Sequence, residues 1–259
     1  MRSSRIALAG VSALVLFSVA ACGESGSSGD GGSTADGGAT STLAVCEPVP
    51  GEQLVVLEDD LKLQTVDNII PAVNAAAAQP AMIAALDAVS ATLDTPRLVN
   101  LNKQVDIDRN TSSQVAADFV EGSDLAITDT SGSGDVVVGA ANFSESATLA
   151  EIYAAALRQA GYNVSVRAIG NRETYLPALE NGELTVVPEY VGTLTEFLNK
   201  SVNGPDAAPL ASGDLDATVE ALTGLGDEVG LVVGAPAEAA DQNAFAVTTA
   251  FAEENGVST

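Results

Sequence analysis

The sequence predicts an α/β protein, on three observations. From Val136 onward short apolar runs alternate with amphipathic stretches in the rhythm strand, helix, strand, helix, strand, the order that builds a mainly parallel sheet covered by helices. The apolar runs are rich in Val and Ile and are bounded by Gly, Pro or Asn, which suits strands closed by turns. The amphipathic stretches repeat their apolar residues at helical spacing, so each has one face to bury.

Taken in chain order, Gln53 to Leu57 alternates into an apolar strand ended by Glu58, Asp59 and Asp60, and Ile69 and Ile70 mark a second short strand ended by Pro71. Met82, Leu86, Val89 and Leu93 form one apolar face of a helix from about Pro80 to Leu93. Thr95-Pro96 reads as an N-cap and first helical residue, with Leu98 and Leu101 as that helix's core side. Thr111 and Gln114 have capping-box spacing ahead of Val115 and Phe119. The period breaks between Gly122 and Asp135, and the run Ser131-Gly132-Ser133-Gly134 reads as a linker over residues 131–135. Val136 to Gly139 is the next strand. Leu149, Ile152, Ala156 and Leu157 line the helix after it, which Gly161 ends as a C-cap. Val164 to Ile169 is a strand, Arg172 to Glu180 a helix and Leu184 to Val187 a strand, closed by Pro188 before Glu189 and Tyr190 begin a turn. Leu215, Val219 and Leu222 mark a further helix, and Leu231 to Gly234 a further strand.

The beginning of the chain is of another kind. Arg2 and Arg5 give a basic start, Ile6 to Val19 an apolar run short for a bilayer span, and Ala20 and Ala21 the small residues of a cleavage site, so residues 1–21 read as a secretion signal. Val19-Ala20-Ala21-Cys22 resembles the lipobox of bacterial lipoproteins, in which the cysteine is acylated. Gly, Ser, Asp and Thr dominate from Gly23 to Thr42, and residues 22–45 read as a flexible tether with a mean reach of about 25 Å. With Cys22 lipidated, Cys46 is left alone; a partner outside this sequence and a small buried thiol both remain open.

Lys and Arg number 10 against 35 Asp and Glu, a net charge of −25 that argues against nucleic acid or an anionic membrane surface as a partner. The sequence contains no His, so it lacks the base of the usual nucleophilic triads and the commonest zinc ligand. No G-x-S-x-G elbow occurs either, and we expect no enzyme, no catalytic residue, no metal and no cofactor. A binding site is expected where ligands gather in open sheets, outside the carboxyl ends of the strands. Two segments qualify: Asn142-Phe143-Ser144-Glu145, with Ser144 as an N-cap, and Glu189-Tyr190-Val191-Gly192-Thr193, where Gly192 permits a tight backbone and Thr193 offers a hydroxyl. Tyr153, Tyr162 and Tyr175 read as core or surface helix residues.

These segments also carry a resemblance. VVVGAANFSESATLAEIYAAALRQAGYNVSVRAIGNRETYLPALENGELTVVPEYVGT, from Val136 to Thr193, resembles the beginning of the glycine betaine, choline and carnitine receptors of ABC importers. LVVLEDDLKLQTVDNIIPAV, ahead of it, resembles their end. The resemblance implies a type II periplasmic-binding-protein fold in circularly permuted order, with residues 46–130 as the family's C-terminal segment and 136–259 as its N-terminal segment, entering the second lobe at about Leu231. One lobe is then largely complete and the second mostly absent, and a truncated, non-transporting fragment is the alternative function. By the same resemblance Tyr190 falls on the family's cage tyrosine and Thr193 on its carboxylate-contacting threonine, with Asn142 and Phe143 in the opening loop. Ala141 stands where relatives of the betaine-binding type carry a lysine, and Asp67 and Asn243 stand where they carry further cage tyrosines. The implied partners are a small quaternary amine or related solute, a permease and its ATPase on other chains, and the outer face of the cell membrane through the lipid anchor. The expected ligand is cationic or neutral rather than a carboxylate-bearing betaine.

The lipobox reading is checked by fractionation. Cys22→Ala is expected to move the protein from the membrane to the soluble fraction with an unchanged circular dichroism spectrum, because the acyl chains attach there. A variant that stays with the membrane would remove the reading.

Overall fold

In the computed structural model residues 53–259 are described. The expectations for the signal, Cys22, the tether and Cys46 lie outside the described residues.

IIPAVN and VVPEY contain a single charged residue between them, and every residue of both is buried. Strands with no solvent face belong at the centre of a sheet covered on both sides. They pair with each other: β2 (Ile69–Asn74) runs antiparallel to β5 (Val186–Tyr190), Ile69 opposite Tyr190 and Val73 opposite Val186. Beyond β5 come β3 (Asp135–Ala140) and then β4 (Asn163–Ala168), all parallel. Beyond β2 comes the short antiparallel β6 (Leu231–Val233). The order is β4-β3-β5-β2-β6, so the sheet is mixed, with β2 reversed within it.

Helices cover both faces. Ile69 and Val73 of β2 join Val138 and Val186 in a core closed by α1 (Pro80–Ser90), α2 (Thr95–Asp106), α3 (Ser112–Gly122) and α4 (Ser144–Gln159). Ile70 and Ala72, one residue out of phase, face the opposite core with α5 (Arg172–Glu180), α6 (Val191–Asn203) and α7 (Leu215–Val229). The Thr111–Gln114 capping box forms at the start of α3 as the spacing predicts. Outside the five-stranded sheet, β1 (Leu54–Val56) pairs antiparallel with β7 (Ala246–Thr248), ahead of α8 (Thr249–Asn255). Leu54, Val56, Phe245 and Phe251 are exposed there.

Several boundaries differ from the sequence expectation. Pro71 and Pro188 lie inside β2 and β5 rather than at their ends, and they face each other in the register as a non-hydrogen-bonded pair, so neither missing N–H is drawn from the ladder between those two strands. Glu189 and Tyr190 therefore end a strand and form no turn. Asp94, not Thr95, caps α2, its carboxylate accepting the Arg97 N–H at 2.7 Å. Phe143 occupies the cap position of α4 without a side-chain bond, and Ser144 is the first helical residue. Ala160 is the C-cap of the same helix, with Gly161 just beyond it at φ 104°.

The segment read as a linker is laid on the domain. Leu125 and Ile127 pack against the first core, and the Gly132 N–H donates to the Ala160 carbonyl at 2.9 Å. A Cβ on Gly132 would meet Tyr162 Cε2 at 2.3 Å and the Ala160 oxygen at 2.6 Å. Gly132→Ala is therefore expected to lower stability by roughly 1–3 kcal/mol in urea denaturation. A free tether at this point would leave the midpoint where it is.

Candidate functional site

Two strand-to-helix junctions open at one edge of the sheet. β3 and β5 are parallel neighbours, so their carboxyl ends point the same way, and each leads into a helix whose first amides lack partners within the helix. Ala141, Asn142 and Phe143 separate β3 from α4, whereas α6 begins at Val191 directly after Tyr190. Gly192 permits that abrupt start. A Cβ there would lie 2.3 Å from the Val66 oxygen, in the segment leading into β2, and the Asn68 carbonyl accepts the Val191 N–H at 3.0 Å.

Tyr190 belongs to the core on the α4 side. Its hydroxyl donates to Glu145 Oε1 at 2.6 Å, and Asn102 of α2 donates to Glu145 Oε2 at 2.5 Å. Glu145 sits in the first turn of α4, where the helix dipole favours a carboxylate. Burial nonetheless raises its pKa against the pull of those two hydrogen bonds, and the charges of Asp241 and Asp106 raise it further. Burial, then the Glu145 charge, pushes the Tyr190 hydroxyl well above the ordinary phenol range, so it remains a donor. The Tyr190 residue is 7% exposed, while Phe143 is 45% exposed, and their rings stand 6.3 Å apart at an interplanar angle of 31°. Together they form an aromatic corner with a carboxylate behind it.

Glu189, one residue before Tyr190, is fully buried. Arg172, at the start of α5, grips it with both ends of its fork, Nε to Oε1 at 2.9 Å and Nη2 to Oε2 at 2.7 Å. Tyr175 adds its hydroxyl to Oε1 at 2.6 Å. Burial opposes the Arg172 charge, but the Glu189 hydrogen bonds and charge outweigh it and raise the guanidinium's pKa. Sequence reasoning missed this ion pair. The available signal was a lone acid inside an apolar strand, which needs a buried donor.

Asp67 approaches α6 from the β2 side. Its Oδ1 accepts the Thr193 N–H at 2.9 Å, and its Oδ2 accepts the Thr193 hydroxyl. Burial raises its pKa, and the Thr193 bonds act against that. The Asp67 carbonyl accepts the Asp241 N–H at 3.1 Å. Asp241, whose charge is felt at both Glu145 and Tyr190, is a second residue that sequence reasoning missed.

The residues named from the sequence thus converge only in part. Phe143 and Tyr190 form one group and Asp67 and Thr193 a second, at the two ends of the β5–α6 junction. Asn142 is exposed, its backbone N–H tied to the Gly170 carbonyl at 3.1 Å. Asn243 stands in an exposed loop and makes no hydrogen bond to the others. Tyr153 and Tyr162 are core residues, and Tyr175 is a buried helix residue that holds Glu189. A cavity of about 340 Å³ adjoins α6, lined by Arg172, Thr193, Phe197 and Lys200 among others. A larger one of about 450 Å³ lies between α2 and α3, away from this chemistry, and shares none of these residues. Among the described residues no group of three or more His, Cys, Asp or Glu could hold a metal ion, and no helix is long and apolar enough to cross a membrane.

Two solved structures share a distant likeness. The crystal structure of NikA from Brucella suis in complex with Fe(III)-EDTA is 12% identical over 76% of this chain and 48% of its own, at a TM-score of 0.35. Haemophilus influenzae OppA in complex with RPPGFSPFR is 13% identical over 71% and 44%, at 0.31. The chain spans about half the length of each. No curated protein matches it. The model of the family described as the substrate binding domain of the ABC-type glycine betaine transport system matches residues 49–122 and 134–259. The α/β class expected from the sequence is the one found. Because the two matched stretches cover most of the sequence, the chain belongs to the family of substrate-binding domains of ABC-type glycine betaine transport systems.

Proposed function

We propose that this chain is a solute receptor for an ABC importer, taking a small quaternary amine such as choline or glycine betaine and presenting it to a permease whose ATPase is on another chain. The observation that carries the reading is the aromatic corner of Phe143 and Tyr190 backed by Glu145. A quaternary ammonium group donates no hydrogen bond, so it is recognised by ring faces and diffuse negative charge, at roughly 0.5–2 kcal/mol for each ring. Glu145 fixes the Tyr190 ring in advance, which removes part of the ordering cost of binding. The neutral Ala141 puts no positive charge beside the corner.

The receptor is lipid-anchored through Cys22 on the outer face of the cell membrane and held by the tether of residues 22–45. We read the chain order as permuted, with residues 46–130 and 136–259 exchanged relative to the family. Two facts support this: β2 is first in the sheet by sequence yet sits between β5 and β6, and the family match breaks at residues 123–133.

Calorimetry with choline, glycine betaine and a neutral polyol tests the reading. Phe143→Ala and Tyr190→Ala are each expected to weaken choline binding by about 2- to 30-fold, the range that one ring face supplies, and to leave polyol binding unchanged. Glu145 has a raised pKa, so it carries charge only above that value. Choline affinity should therefore fall as pH drops through the upper carboxylate range, and Glu145→Gln should remove that part of the pH dependence. Choline binding equal to wild type in both ring variants would reject the aromatic corner as the site.

A further inference from the structure

The cavity of about 450 Å³ between α2 and α3 takes no part in the aromatic corner, and its lining has a chemistry of its own. Its volume lies in the range of small-molecule sites. Leu101 and Val115, both buried in the first core, and the partly buried Phe119 give it an apolar floor. The charges around that floor do not balance. Asp94 serves both the start of α2 and Arg97, the one basic residue of the lining: its Oδ1 accepts the Arg97 N–H at 2.7 Å, and its Oδ2 stands 3.7 Å from Arg97 Nε. Asp118 has no such partner, being exposed and without a salt bridge among the described residues. Gly122 and Ser123 bring the carbonyl end of α3 to the same cavity, and no basic residue in the last turn offsets the roughly half negative charge of that end. Ser123 Oγ is buried there without a hydrogen-bond partner.

We infer that this cavity is a second ligand site, separate from the aromatic corner, for a small organic cation with an apolar body and an ammonium head that bears N–H groups, such as a primary arylalkylamine. The apolar body covers Leu101, Val115 and Phe119. The ammonium head lies toward Asp118 and the end of α3, and one of its N–H groups supplies the partner that Ser123 Oγ lacks. A carboxylate in the same place would meet Asp118 and the carbonyl end of the helix as like charge. A quaternary head would bring the charge but nothing to donate to Ser123. The selectivity is therefore the reverse of that proposed for the ring faces of Phe143 and Tyr190, and the site stands whether or not those rings take a quaternary amine.

Benzylammonium is the probe, followed by NMR on the full chain. It is expected to shift the amide signals of Val115, Phe119, Gly122 and Ser123 with a Kd of about 1 mM, the affinity that ~8 non-hydrogen atoms sustain, and to do so equally in Tyr190→Ala. Benzyltrimethylammonium and benzyl alcohol should bind there roughly 3-fold or more weakly, and benzoate should give no shift. Asp118→Asn should weaken benzylammonium by about 2- to 5-fold, the strength of an exposed ion pair. Ser123→Ala should weaken benzylammonium by about 3- to 10-fold and leave benzyltrimethylammonium unchanged. Its urea midpoint should not fall, because the substitution removes a buried hydroxyl that has no partner. Shifts confined to Phe143 and Tyr190, benzoate binding equal to benzylammonium, or wild-type affinity for benzylammonium in either the Asp118 or the Ser123 variant overturns the site.

Discussion

The carboxylate of Glu189 has no contact with solvent, and the rest of the site depends on how it is held. A buried charge without a partner would cost several kcal/mol. Here the Arg172 fork, the Tyr175 hydroxyl and the Tyr190 N–H all point at it, so the end of β5 and the start of α5 are locked together. Tyr190 and Thr193 inherit their positions from that lock, because β5 passes into α6 with no loop to absorb an error. The pair also sets the Arg172 cation against a carboxylate, which offsets the positive charge that it presents to a ligand.

Much of the layout was legible because periodicity reports burial directly. The limits of α5 at Arg172 and Glu180 match the sequence reading, and so does the buried face of α4 through Leu149, Ile152, Ala156 and Leu157. The prolines misled. Proline is read as a strand breaker because one missing donor in a central strand leaves a gap, but the pairing of Pro71 with Pro188 is a property of two segments far apart and invisible to local rules. The caps shifted for a related reason. Asp94 and Thr95 are both acceptable cap residues, and only the backbone angles decide which one turns first.

The site itself divides in the same way. Tyr190, Thr193 and Phe143 lie next to strand ends and helix starts, so a rule about where ligands gather in open sheets reaches them. Glu145 was noticed only as part of a loop, and its bond to Tyr190 needed the two parallel strands to be side by side. Asp67 was singled out as a departure from a pattern, yet its bond to Thr193 spans 126 residues of chain. Arg172, Asn102 and Asp241 act through partners that no short motif connects to them.

That separation also has a consequence in time. At a synthesis rate of ~5–20 residues per second, Thr193 follows Asp67 by about 6–25 s. Throughout that interval IIPAVN, the strand destined for the middle of the sheet, has neither β5 nor β6 to pair with. A run so apolar is a natural template for association with its own copies on neighbouring chains. Pro71 interrupts it: the ring removes a donor from the edge of β2 turned away from β5, so a second chain meets a gap in its ladder there while the ladder with β5 loses none. The residue that looked like a mistake in a strand is what lets that strand wait for its own β5.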